Sequence, residues 1–450
     1  MAKSKSVFFC QQCGHESAQW VGKCPGCSEW NSMVEERFSA KTDRSVSSAK
    51  RQNTPKKISD LKRDEEERLI LSDDELNRVL GGGLVQGSLV LFGGEPGIGK
   101  STLTLQIAIQ QKGTEILYVS GEESEEQIRM RADRLGISGE GCKVLCETCI
   151  ESVIESATHT RYGIVVIDSI QTMYSEVIEG APGSVSQVRQ CASLLLRLAK
   201  ENRVSVFIIG HITKEGSIAG PKVLEHMVDV VLSFEGDRNH VYRLLRSPKN
   251  RFGHTGELGI YEMISQGLRG VKNPSEFLVS DRVSGLSGSA LASSMEGIRP
   301  MIVEVQALVS SAVYGTPQRS ATGYDNRRLN MLLAVMEKKC GFRLAMKDVF
   351  INIAGGLRLE DPALDLALTA ATLSSNADIA LPPNVCFAGE VGLNGEIRPV
   401  PRIDQRISEA EKLGCSSMYV SEFTRIDHAT KSSIQIIRVA HLGDLAAALH

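Results

Sequence analysis

The fold turns on Ser88–Gly113, SLVLFGGEPGIGKSTLTLQIAIQQKG. Leu89–Phe92 is a short apolar run of the kind that makes a buried strand, and GEPGIGKS, Gly94–Ser101, fits the pattern G-x-x-x-x-G-K-[ST]. An apolar helical pattern then runs to Gly113. Strand, glycine loop and helix in that order build a phosphate cradle. The glycines let backbone N–H groups approach an anion, and the helix N-terminus favours negative charge. Gly94, Glu95, Pro96, Gly97, Ile98, Gly99, Lys100 and Ser101 are therefore expected to hold ATP, with Lys100 on the β- and γ-phosphates and Ser101 on Mg2+.

Three further strand-like runs supply partners. GIVVIDS ends on Asp168, placed to support Mg2+. EILYVSGEES ends on Glu122 and Glu123, and one of the two is expected to orient the attacking water; the spacing does not choose between them. SVFIIGHITKEG ends on His211 and Lys214, which either sense the γ-phosphate or are structural. Residues 115–120, 143–147, 164–168 and 205–212 read as strands with helical patterns between them, which predicts a mostly parallel sheet with the loop at its carboxyl edge. Segments 171–187 and 213–222 are too polar and glycine-rich for core, and fall where loops read a second ligand such as DNA.

The rest of the chain bounds these readings. At 450 residues, two or three domains are expected, and 42% hydrophobic with 23% charged residues is ordinary soluble composition. No apolar run approaches the ~20 residues of a bilayer span. The N-terminus has no secretory pattern, so a cytoplasmic location is expected. With a net charge of −3, any binding of nucleic acid must use local basic patches. Of 11 cysteines, Cys10, Cys13, Cys24 and Cys27 form two CxxC knuckles, with Gly14 and Gly26 allowing tight turns, and predict a structural Zn2+ ribbon over 1–35. Trp20, Trp30 and Lys23 on it suit DNA or protein equally. Residues 36–64 read as a basic, serine-rich linker carrying Lys41, Arg44, Lys50, Arg51, Lys56 and Lys57.

The run LNRVLGGGLVQGSLVLFGGEPGIGKST, the ribbon before it and KNRFG, 249–253, after it together resemble the bacterial RadA (Sms) family, RecA-like ATPases of recombination, over nearly the whole chain. The resemblance implies a hexameric ring that hydrolyses ATP, binds single-stranded and branched DNA, and drives branch migration alongside the RecA recombinase. It extends the nucleotide loop to Thr102 and makes Lys249 and Arg251 the cations of the family signature. It also makes 171–187 and 213–222 the DNA-facing loops. Lys249 and Arg251 alternate along an extended segment, so both should project to one side, where they could meet a neighbour's triphosphate or DNA.

Within this frame 65–270 is the ATPase domain, 271–287 a linker, and 288–450 a separate α+β domain. Its order resembles the proteolytic domain of Lon proteases: strand RPMIVEVQALVSS, helix NRRLNMLLAVMEKKCG, strand DVFINIAGG, helix DPALDLALTAATLSS, a hairpin at Asn394–Gly395 of type I′, and helix RIDQRISEAEKLGC. Lon-type hydrolysis needs a serine and a lysine, but the matching positions hold Ala363 and Asp404, so no peptidase activity is expected. Arg327, Arg328, Lys338, Lys339, Arg343 and Lys347 form a basic patch or a solvated helix face. The alternative to a DNA-stimulated motor is a KaiC-like regulatory ATPase acting on proteins.

Overall fold

The computed structural model describes residues 5–10, 15–38, 57, 68–136, 139–210, 223–236, 242–279, 285–312, 315–427 and 433–449. The chain divides into two compact units, Met1–Gly236 with Val241–Gly270, and Asp237–His240 with Val271–His450. No helix among the described residues is long and apolar enough to cross a membrane.

The first unit is built on a nine-stranded sheet. Leu89–Gly94 lies between Ser205–Ile209 and Val230–Gly236, and the sheet continues through Ile164–Asp168 and Ile116–Ser120 to Cys142–Cys146, all parallel. The strands Ile116–Ser120, Ile164–Asp168 and Ser205–Ile209 are buried along their whole length. Val90, Phe92, Tyr118 and Phe207 fill one core, and Leu89, Leu91, Val119 and Ile208 the other, as expected of a sheet with helices on both faces. The parallel order puts every strand's carboxyl end on one edge, with the helix Lys100–Gln110 springing from that edge. Beyond Val230–Gly236 the sheet turns antiparallel through Tyr242–Asn250, Leu258–Ile264 and Gly267–Gly270.

A small antiparallel sheet of Lys5–Cys10, Glu16–Ser17 and Met33–Phe38 carries the ribbon, which thus runs a few residues past position 35.

The second unit has a seven-stranded mixed sheet, ordered Arg319–Thr322, Lys347–Ile353, Arg299–Ser311, Ser289–Glu296, Val385–Ala388, Ser417–Ser421 and Gln435–Val439. Helices Asn326–Cys340, Leu364–Ala377 and Ile403–Lys412 fall where the sequence predicts them, and Gly341 ends the first in the left-handed region at φ 75°. Two details differ from expectation. Residues 271–278 are not all linker: Pro274–Leu278 is a helix whose Ser275 hydroxyl donates to Glu409 at 2.7 Å and accepts the Ile302 N–H at 3.1 Å. The hairpin of Glu390–Val391 with Ile397–Arg398 forms, but its turn is Gly392–Gly395, closed by Gly395 N–H on Gly392 O at 2.9 Å. Gly395 has φ +85° while Asn394 is not among the left-handed residues, so the turn is not type I′.

Candidate active site

The nucleotide loop leaves the strand Leu89–Gly94 through three glycines of positive φ, Gly94 at 155°, Gly97 at 76° and Gly99 at 114°. At Gly94 the requirement is also steric, since a Cβ would stand 2.8 Å from Phe234 O. Gly99 precedes the helix without a capping side chain, so the first N–H groups face the loop. Lys100 curls over the loop, donating to Gly94 O at 2.7 Å and Glu95 O at 2.9 Å. Burial pushes its ammonium down to about 8, against the pull of Asp168 and then Glu122.

Ser101 Oγ donates to Asp168 Oδ1 at 3.0 Å, and Tyr118 donates to Asp168 Oδ2 at 2.5 Å. Burial raises Asp168 above the ordinary carboxylate range, while those two hydrogen bonds oppose the rise. A hydroxyl and a carboxylate oxygen this close form a hard-oxygen donor set that suits Mg2+. The two glutamates separate clearly. Glu122 accepts from the Ser169 hydroxyl at 2.5 Å and its charge acts on both Lys100 and Asp168. Glu123 is instead paired with Arg131 on the helix Glu125–Leu135. Tyr118, Ser169, Arg131 and Arg243, whose Nε donates to Ile98 O at 3.1 Å, were not signalled by the sequence. His211 and Lys214 lie outside the described residues, as does segment 213–222.

Segment 171–187 differs from the open loop expected. Met173, Ser175 and Gln187 are buried. Gln187 Nε2 donates to the carbonyls of Ser175, Ile178 and Gly180, at 3.2, 3.0 and 3.3 Å, and its Oε1 accepts the Ser175 N–H. The segment contains Glu176 and Glu179 but no lysine or arginine. Its ends are anchored, while Glu176, Val177 and residues 179–183 stay exposed, and the two acids disfavour phosphate.

KNRFG divides by role. Asn250 Nδ2 donates to Leu80 O at 3.2 Å, Arg68 donates to Phe252 O at 2.6 Å, and a Cβ on Gly81 would meet Gly253 Cα at 3.2 Å. Asn250, Phe252 and Gly253 thus seat the motif on the triple-glycine turn 81–83. Lys249 is not the free cation expected. Its ammonium donates to Glu225 O at 2.5 Å and Val228 O at 2.8 Å, closing the end of the helix Val223–Met227. Burial and then Arg251 lower its pKa. Arg251 remains 57% exposed beside Asp229, at 3.5 Å. Lys249 pairs with Val231 and Gly94 with Phe234, so the motif lies at the amino edge of the sheet, some three residues or ~10 Å of strand from its own nucleotide loop.

In the ribbon, the Sγ atoms of Cys10, Cys24 and Cys27 lie within 4.8 Å of one another, and Cys10 Sγ to Cys27 Sγ is 3.6 Å. A tetrahedral zinc site with Zn–S of about 2.3 Å has sulfur edges of about 3.8 Å, so the thiols fit Zn2+. Gly26 N–H donates to Cys24 Sγ at 3.3 Å, orienting the knuckle. Cys13 lies outside the described residues.

In the second unit Ala363 is buried at the start of its helix, and Asp404 accepts the Asp427 N–H at 3.1 Å. Next to them stands an ion pair, Arg406 Nη2 to Asp361 Oδ2 at 2.7 Å, with 1% and 8% side-chain exposure. Arg406 also donates to Ser293 O and Pro401 O, and Asp361 accepts from Ala363 N–H and Met295 N–H. The basic patch is smaller than expected. Arg328 is spent on Asp365, at 2.8 and 2.6 Å, and Lys347 on Asn376 at 2.6 Å. Arg327 stands roughly 17 Å of helix from Lys338 and Lys339.

Residues 8–35 match the rubredoxin metal binding domain family, 54–217 the AAA domain family, and 303–423 the family described as subunit ChlI of Mg-chelatase. The chain is 49% identical over 449 residues to DNA repair protein RadA of Halalkalibacterium halodurans, covering 99% of this chain and 98% of that one. It is 49% identical over 451 residues to DNA repair protein RadA of Bacillus subtilis strain 168, with the same coverage. Among solved structures, the KaiC-like protein PH0186 of Pyrococcus horikoshii OT3 covers 45% of this chain and 98% of its own, at 17% identity and a TM-score of 0.37. With relatives this similar along its full length, the chain belongs to the RadA family, as a RecA-like P-loop ATPase core between a zinc ribbon and a Lon-like α+β domain.

Proposed function

We propose that the chain is a DNA-dependent ATPase of recombinational repair in the cytoplasm. In this reading it binds single-stranded and branched DNA and drives branch migration of recombination intermediates with the RecA recombinase. The relatives named DNA repair protein RadA support the setting. The observation that carries the hydrolytic part is the convergence of Lys100, Ser101, Asp168 and Glu122 on one sheet edge.

Each residue has a task. Lys100 leaves the loop carbonyls for the β- and γ-phosphates, and Gly94–Thr102 wrap the triphosphate with backbone N–H groups. Ser101 and Asp168 would hold Mg2+, which offsets phosphate charge when bound. Glu122, fixed by Ser169, orients the attacking water and takes its proton. Arg251 is the exposed cation of KNRFG and sits away from its own loop, so it serves a neighbour's triphosphate in a ring, which we take as a hexamer. Lys249 positions Arg251 by fixing 225–228. The ribbon holds Zn2+ through Cys10, Cys13, Cys24 and Cys27. The second unit acts as a scaffold and cleaves no protein.

The test is ATP hydrolysis with and without single-stranded DNA. Stimulation is expected; no stimulation and no binding at low salt would discard the motor, leaving a regulatory ATPase that acts on proteins.

A further inference from the structure

Both tryptophans of the chain are in the ribbon and both are exposed, Trp20 at 54% and Trp30 at 67%. An indole gains much from leaving water, so two exposed on one small module mark a contact surface. The second knuckle builds that surface. Gly22–Cys24 runs antiparallel to Glu29–Asn31, with Asn31 N–H on Gly22 O and Cys24 N–H on Glu29 O, both at 2.9 Å. The pairing sets Lys23 beside Trp30, and its Nζ stands 5.8 Å from the ring centroid. A Cβ on Gly22 would stand 3.7 Å from Trp20 Cη2 and 3.7 Å from Trp30 Cζ3. The two indoles therefore share one patch, and glycine leaves the space between them clear.

Aromatic rings with a cation beside them fit a single-stranded nucleic acid, whose bases stack on the rings while a phosphate meets the ammonium. Charge favours this partner over a protein segment. Residues 1–35 balance three lysines with three glutamates, but the next 29 residues, 36–64, hold nine lysines and arginines against four acids. In a chain of net charge −3 that excess is local, and it raises the concentration of a polyanion near the tryptophans. We propose that Trp20, Trp30 and Lys23 form a base-stacking platform for single-stranded DNA, an inference that rests on the DNA-binding reading above.

The chain carries its own reporter, since no tryptophan lies outside the ribbon. Titrating zinc-loaded, full-length protein with oligothymidylate at low salt should quench the intrinsic fluorescence. The same strand in a duplex should quench little, because its bases already stack on each other. Trp20→Ala with Trp30→Ala should weaken oligothymidylate binding about tenfold by anisotropy of a labelled strand, with zinc content unchanged. Trp30→Phe keeps a ring and should retain most of the affinity. Labelled strand bound without quenching, equal quenching by duplex, or unchanged affinity in the double variant would each overturn the platform; the last is the result expected of a ribbon reserved for a protein partner. Failure of the intact chain to bind any DNA would overturn the broader reading as well, and is distinguished by the anisotropy signal alone.

Discussion

Tyr118 and Asp168 meet across neighbouring parallel strands, phenol to Oδ2 at 2.5 Å, while Ser101 holds the other oxygen at 3.0 Å. The tyrosine fixes a carboxylate that burial would otherwise push toward its neutral form. Removing this hydrogen bond raises the Asp168 pKa further. Tyr118→Phe should therefore lower turnover about tenfold, move the acid limb of the pH profile to higher pH, and demand more Mg2+. Steady-state hydrolysis against Mg2+ concentration and pH checks all three; an unchanged Mg2+ requirement would refute the positioning role.

Glu122 and Glu123 should behave oppositely despite being adjacent. Glu122→Gln is expected to cut hydrolysis by about 100-fold or more with nucleotide binding kept. Glu123→Gln loses only the pairing with Arg131 and should stay within severalfold of the parent. Equal losses in the two variants would reject Glu122 as the base.

Arg251→Ala should lose about 1000-fold in turnover and still bind nucleotide. Arg251 and the nucleotide loop lie at opposite edges of one sheet, so under the proposed ring the site it completes belongs to another copy. Mixing Arg251→Ala with Lys100→Ala should then restore part of the activity that neither shows alone. A mixture as inactive as its components would place Arg251 elsewhere.

The depressed Lys100 ammonium makes nucleotide binding sensitive to pH. Its folded pKa of about 8 lies below the usual 10.5, so the free protein loses the proton as pH rises through 8. Phosphates favour the charged form, and binding above that pH must take up a proton. Affinity should hold below pH 8 and fall above it, by up to about tenfold per pH unit. Calorimetry in buffers of different ionisation enthalpy would show the uptake; a pH-independent affinity between 7 and 9.5 would contradict it.

In the second unit, Asp361→Ala leaves Arg406 charged and buried without its partner. The unit should lose about 3–5 kcal/mol of stability, read from denaturant unfolding. A change below about 1 kcal/mol would mean that the pair is solvated.

What was legible followed from chemistry that demands fixed residue types at fixed spacing. The phosphate cradle, Asp168 at a strand end and the cysteine knuckles are of this kind. Tyr118 is not legible because a tyrosine in an apolar strand looks like core, and its role exists only once strand pairing sets it near Asp168. Lys249 reads as a free cation for the same reason, since its acceptors lie some twenty residues away at 225–228. Segment 171–187 reads as too polar to be anchored, but Gln187 ties down its ends through the carbonyls of Ser175, Ile178 and Gly180. The Asn394–Gly395 dipeptide suggested the wrong turn because Gly395 takes the last position rather than a central one.

The Arg406–Asp361 pair also limits where mutation can take this chain. Ala363→Ser alone would set a hydroxyl beside a carboxylate and a guanidinium that never gives up its proton, so nothing nearby resembles the neutral lysine a Lon-type dyad requires. Placing a lysine at the Asp404 position instead removes the carboxylate that accepts the Asp427 N–H. Neither step alone supplies an activated nucleophile, so a serine–lysine dyad at these positions needs at least two changes made together.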